Sequence, residues 1–164
     1  MASYLHKTIL FIALILAITT PISSDRSNDV VQQYLGDLCP ETDDIVGIAD
    51  CMISLAMQKA EALGDELNKW HKVSTGERSE EKYRTCSKSY VEVGRNLKMA
   101  RRSLDSDDYR MILDEIDDAR EELDECGNEF GPGLFEPGHV VDRNNELRFY
   151  LILARAATGR LSLL

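Results

Sequence analysis

The residues of this chain best suited to chemistry are four cysteines, Cys39, Cys51, Cys86 and Cys126. A cysteine ligates metal, attacks as a thiolate or forms a disulfide. Zinc ligation needs further Cys or His at short spacing, and His6, His71 and His139 stand in no such pattern. An even count behind a secretory segment reads as disulfides. The other chemical motifs fail in the same way. Asp105-Ser106-Asp107 opens like a calcium loop, but Tyr109 and Arg110 occupy positions that need an oxygen ligand and a glycine. No glycine-rich phosphate loop, G-x-S-x-G elbow or N-x-S/T sequon is present. No catalytic residue, metal or cofactor is expected.

The remaining signal is charge. The 164 residues carry a formal net charge of −10. Residues 1–24 read as a signal peptide. His6 and Lys7 precede an unbroken apolar run, Thr8 to Ile18, and a cut after Ser24 follows Ser23. The run is shorter than the roughly 20 residues that span a bilayer, so no membrane anchorage is expected after its removal. The segment holds one lysine and no acid, which leaves residues 25–164 at −11. Such a surface repels nucleic acid and suits a basic protein partner. Acids concentrate between Asp107 and Glu129, where Asp114, Asp117, Asp118, Glu121, Glu122 and Glu125 mostly avoid the apolar positions.

The elements that position these residues are helices. Apolar residues recur at Ile45, Ile48, Met52, Leu55, Leu63, Leu67 and Trp70, with Thr42, Asp43 and Asp44 as capping candidates. Tyr83, Cys86, Tyr90, Val93, Leu97, Ala100 and Leu104 follow steps of three and four without a break, as do Tyr109, Ile112, Ile116, Ala119, Leu123, Cys126 and Phe130. Ser106 or Asp107 is expected to cap the latter helix, and Gly127 to stop it. Gly131 to Gly138 reads as a loop. Leu147, Leu151, Ala154, Thr158 and Leu161 mark a last helix from about His139. This pattern predicts an all-α, up-down-up-down antiparallel four-helix bundle in one domain, residues 25–164. A short N-terminal helical extension carries Val30, Val31, Tyr34, Leu35 and Leu38.

The bundle pairs two of the cysteines. Cys86 lies 20 residues before Ser106 and Cys126 lies 20 after it, both on apolar stripes. In an antiparallel hairpin each stands about 30 Å from the turn, so the two face each other at equal height. Cys39 and Cys51 leave three readings open: a local bridge, free thiols or an intermolecular bond.

The ordered set Cys39-Pro40-Glu41-Thr42, Tyr83 to Tyr90, Leu104 to Tyr109, Glu125 to Phe130 and Arg143 to Leu147 resembles the plant invertase/pectin methylesterase inhibitor family. The likeness runs from about Leu38 to Leu161 and departs in one region. The family's N-terminal hairpin is shorter here, and Cys51 falls inside the first bundle helix. The resemblance implies a secreted, disulfide-stapled bundle that is no enzyme. It implies one-to-one binding and blocking of pectin methylesterase or acid invertase in the cell wall (apoplast) or vacuole. One family disulfide maps onto Cys86 and Cys126; the other lies within the N-terminal hairpin. Some invertase inhibitors carry Pro-Lys-Phe where this chain has Tyr109-Arg110-Met111, and the Ser106-Asp107-Asp108-Tyr109 turn looks more like the pectin methylesterase branch. Contact through bundle helices two and three would then place Tyr109, Asp114, Asp117 and Asp118 at the target.

Overall fold

A computed structural model describes residues 35–42, 44–74, 76–130 and 139–161. The expected signal peptide, Val30, Val31 and Tyr34 of the extension and the Gly131 to Gly138 loop lie outside these residues. Residues 35–38 are helical, and Cys39 N–H donates to the Leu35 carbonyl at 2.9 Å. From Asp44 onwards the described residues form four helices: α1 (Ile45–Val73), α2 (Glu77–Asp105), α3 (Tyr109–Glu129) and α4 (Val140–Leu161).

Each helix packs on two neighbours: α1 on α2 and α4, and α3 on α2 and α4. The cross-links give the direction. Asp50 meets Arg101 while Asn68 meets Ser87, so numbering rises on α1 as it falls on α2. Asp117 meets Arg155 and Asp124 meets Arg148 across α3 and α4. Lys59 meets Glu146 and Glu66 meets Arg143 across α1 and α4. All these pairs are antiparallel, which is the up-down-up-down order.

The helix boundaries follow from local chemistry. Asp44 caps α1, its Oδ1 accepting from Gly47 N–H at 2.8 Å. The α2–α3 turn corrects the expected cap. Asp107 has φ +58°, Asp108 N–H donates to the Ser103 carbonyl at 2.9 Å, and Asp107 N–H donates to that of Leu104 at 3.2 Å. This is the Schellman ending of α2, with an aspartate in the left-handed position where glycine is usual. Ser106 and Asp107 are thereby committed to α2, and the cap of α3 falls to Asp108, whose Oδ1 accepts from Met111 N–H at 3.2 Å. Gly127 does not end α3, which continues to Glu129; it passes beside Asn144, whose amide would lie 3.5 Å from an added Cβ.

The stripes of α2, α3 and α4 form the core as expected, except that Tyr109 is half-buried. In α1 the buried set is Ile48, Ala49, Met52, Ile53, Ala56, Ala60, Leu63 and Leu67, while Ile45, Leu55 and Trp70 are half-buried. A helix wedged between two others buries a face wider than one seam, and small alanines fill the gap between Met52 and Leu63.

All four cysteines are disulfide-bonded. Cys86 and Cys126 join α2 to α3 across 40 residues, and both are fully buried. Cys39 and Cys51 carry the second disulfide, which settles the three readings left open. Beside the staple, Tyr90 donates its hydroxyl proton to Asn144 Oδ1 at 2.5 Å, and Asn144 Nδ2 donates to the Leu123 carbonyl at 3.1 Å. Burial pushes the Tyr90 phenol above its ordinary value. A single α4 side chain thus ties α2 and α3 to α4 inside the core.

Candidate functional site

Helix α3 is apolar on one side and acidic on the other. Ile112, Ile116, Ala119, Leu123 and Cys126 take the core positions, so the acids divide between the flanks and the outward face. Asp114, Asp118, Glu121 and Glu125 are all exposed and follow steps of four, three and four, which puts them on one outward stripe.

The residues expected at the target part company here. Asp114 and Asp118 lie on this stripe. Asp117 lies on the flank toward α4, where its carboxylate accepts from Arg155 Nε at 2.9 Å and from an Arg120 terminal nitrogen at 3.0 Å. Burial opposes its charge, but the hydrogen bonds from Arg155 and Arg120 prevail and hold its carboxyl below the usual aspartate range. Tyr109 stands about 140° around the helix from Asp114 at 100° per residue, in the first turn of α3. Its hydroxyl donates to Asp107 Oδ1 at 2.9 Å, and that bond, with some desolvation, raises its pKa. The structure therefore joins Asp114 to Asp118, and leaves Asp117 as a bridge to α4 and Tyr109 as a support of the turn.

Sequence reasoning passed over Glu115, which is only 7% exposed. It lies three residues after Ile112 and four before Ala119, a spacing that places it beside the apolar stripe. Burial raises its pKa; Asp118 and Asp114 add to the rise and Arg95 of α2 opposes it. Two turns on, Glu122 is also raised by burial and by Glu125, while a hydrogen bond with Ser89 works against the rise. The seam between α2 and α3 thus carries two carboxylates held toward their neutral forms, next to an outward row of exposed acids.

Among the described residues no group of three or more His, Cys, Asp or Glu is arranged to hold a metal ion. No described helix is long and apolar enough to cross a membrane. The acidic face presents a row of exposed carboxylates along one side of α3.

No protein-family model matches this chain. No curated protein matches it either. Solved structures do. A pectin methylesterase inhibitor from Arabidopsis thaliana superposes with a TM-score of 0.69 at 18% identity, covering 79% of this chain and 85% of that one. A mutant form of a pectin methylesterase inhibitor from Arabidopsis superposes with a TM-score of 0.72 at 17% identity, covering 80% and 89%. The chain accordingly shares the disulfide-stabilised helical-bundle fold of a plant pectin methylesterase inhibitor.

Proposed function

We propose that this protein is a secreted inhibitor that binds and blocks a plant cell-wall carbohydrate-active enzyme, with pectin methylesterase the first target and acid invertase the second. The observation that carries this reading is the fold, superposable over about four-fifths of the chain on a solved pectin methylesterase inhibitor. The expected signal segment and the disulfides suit the oxidising cell wall more than the vacuole. The stoichiometry is one to one, and the inhibitor contributes no catalytic group.

The contact surface is the outward row of α3. Asp114 and Asp118 meet basic groups of the enzyme directly, Glu121 and Glu125 extend the field, and Asp117 and Tyr109 hold the platform by fixing α4 and the α2–α3 turn. Exposed charges of one sign accelerate encounter with a basic partner, and the effect falls with ionic strength.

The test is a titration of the purified protein against pectin methylesterase and, separately, acid invertase. Activity of the target falls linearly to zero at one equivalent, and the inhibition weakens as salt is raised. Asp114→Asn with Asp118→Asn slows association and flattens the salt dependence. If neither enzyme loses activity at micromolar protein, the proposal is wrong.

A further inference from the structure

Outside the acidic face, described residues border a groove of about 260 Å³ between α1 and α2. Its floor is made where side chains are small: Ala60 and Gly64 on α1 and Gly94 on α2, with the buried Tyr90 between them. Its wall includes Val91, which is 65% exposed. The hydrogen bond from Ser87 Oγ to Asn68 Oδ1, 2.6 Å long, crosses one end, and Lys98 stands toward the other.

The two glycines are not required by the packing. Neither has a positive φ; a Cβ at Gly94 meets nothing within 4 Å, and one at Gly64 meets only Tyr90 Cβ at 3.7 Å, an ordinary contact. Glycine in a helix interior destabilises the helix relative to alanine. Two such positions facing one hollow keep it open at the expense of stability. The volume lies below the roughly 300–1,000 Å³ usual for small-molecule sites and matches one long side chain.

Charge selects which side chain. Glu61 and Asp65, one turn apart on α1, are both exposed on the rim, and neither has an ion pair among the described residues. Lys98 is the one base on the rim and lies at its end. The geometry points to a receptor for a single arginine side chain presented by a protein partner. The alkyl stem lies over Gly64, Val91 and Gly94, and the guanidinium forks toward the Glu61 and Asp65 carboxylates. Arginine fits better than lysine because its planar fork serves two acceptors at once, and arginines anchor protein interfaces disproportionately. The groove does not depend on the identity of the enzyme or on the α3 row, so it stands or falls separately from the inhibitor reading.

The experiment is an amide-resolved NMR titration of the protein with N-acetyl-arginine amide, alongside the citrulline, leucine and glutamate amides. Saturable shifts at Gly64, Val91 and Gly94 are expected with the arginine amide, and at least tenfold weaker binding with its uncharged isostere citrulline. Gly94→Leu fills the groove and abolishes these shifts without lowering the melting temperature; Gly64→Ala, which the packing admits, weakens them and raises it. Glu61→Gln with Asp65→Asn weakens arginine binding at least fivefold. Equal binding of the leucine or glutamate amide, shifts scattered away from the groove, or full binding by Gly94→Leu overturns the proposal.

Discussion

The α2–α3 hairpin and the seams that hold α4 are built on different principles. Between α2 and α3 the contacts are mainly apolar and covalent, with Glu115 and Glu122 at the edge of the seam: the two unbroken stripes meet, and the Cys86–Cys126 bond joins them far from the turn. At that same end Tyr83 lies against Phe130, ring centroids 5.3 Å apart, with Lys82 over the Phe130 ring. Helix α4 is fastened by Arg155 to Asp117, Arg148 to Asp124, Glu146 to Lys59 and Arg143 to Glu66, all at the solvent edge. Its polar insertions into the core are Asn144, bonded to Tyr90, and Thr158, whose hydroxyl donates to the Ala154 carbonyl of its own helix. Exposed ion pairs contribute little individually and weaken with salt, whereas burial and a cross-link do neither. The hairpin that bears the acidic face is therefore the covalently fixed part of the bundle, whereas α4 is held by its buried apolar stripe together with salt-sensitive pairs at its edges.

The largest effect that would break this contrast lies in the staple. A loop of 40 residues corresponds to about 4 kcal/mol in the chain-entropy model. Cys86→Ala with Cys126→Ala is expected to lose about that much in denaturant unfolding. A loss under about 1 kcal/mol would show that apolar packing alone holds the hairpin.

Next comes the core link to α4. Asn144→Leu leaves the buried Tyr90 hydroxyl without its acceptor, at a loss of about 1–3 kcal/mol. Adding Tyr90→Phe should recover part of it. A double-mutant cycle showing no coupling would remove Asn144 as the tie between hairpin and α4.

Smaller is the rim. Arg155→Ala is expected to lower stability by less than about 1 kcal/mol at low salt and by less again at high salt. Asp117 has a depressed pKa, so the stability it adds is present above the ordinary aspartate value of 3.8 and lost as pH falls through the folded value. Stability of Arg155→Ala should therefore converge on that of the parent in acid; parallel curves down to the lowest pH would contradict the assignment.

The last prediction has the opposite sign and belongs to the hairpin. Glu115 has a raised pKa, so its charge opposes folding above the folded value, and the penalty vanishes once pH falls below the ordinary glutamate value of 4.5. Glu115→Gln should be more stable than the parent at neutral pH, with the gain fading through the acid range. A gain independent of pH would mean that charge is not its cause.

How far the sequence could be read varied from helix to helix. The stripes of α2 and α3 were legible because each runs at an uninterrupted period of mostly large apolar residues, and the pairing of Cys86 with Cys126, equally spaced about the turn, then follows from helix geometry. Helix α1 was less legible, since Ala49, Ala56 and Ala60 are small enough to escape a count of large apolar residues yet are fully enclosed. The cap of α3 was misplaced because Asp107 serves the end of α2, a choice that depends on backbone geometry at +58° and on no residue type. Within the acidic face, composition showed that charge is abundant, but Asp117 and Asp118 are neighbours in the chain with different surroundings.

By itself, the order of residues determined the helices, the bundle and the staple, because periodicity and equal spacing are one-dimensional properties that survive projection onto a line. The tertiary structure alone decided which acids face arginines, which are pressed against α2 and which look outward, and it alone brought Gly64 and Gly94 to the lining of one groove. Those outcomes depend on the rotation of one helix against its neighbours, a quantity of about 100° per residue that turns adjacent side chains toward different surroundings.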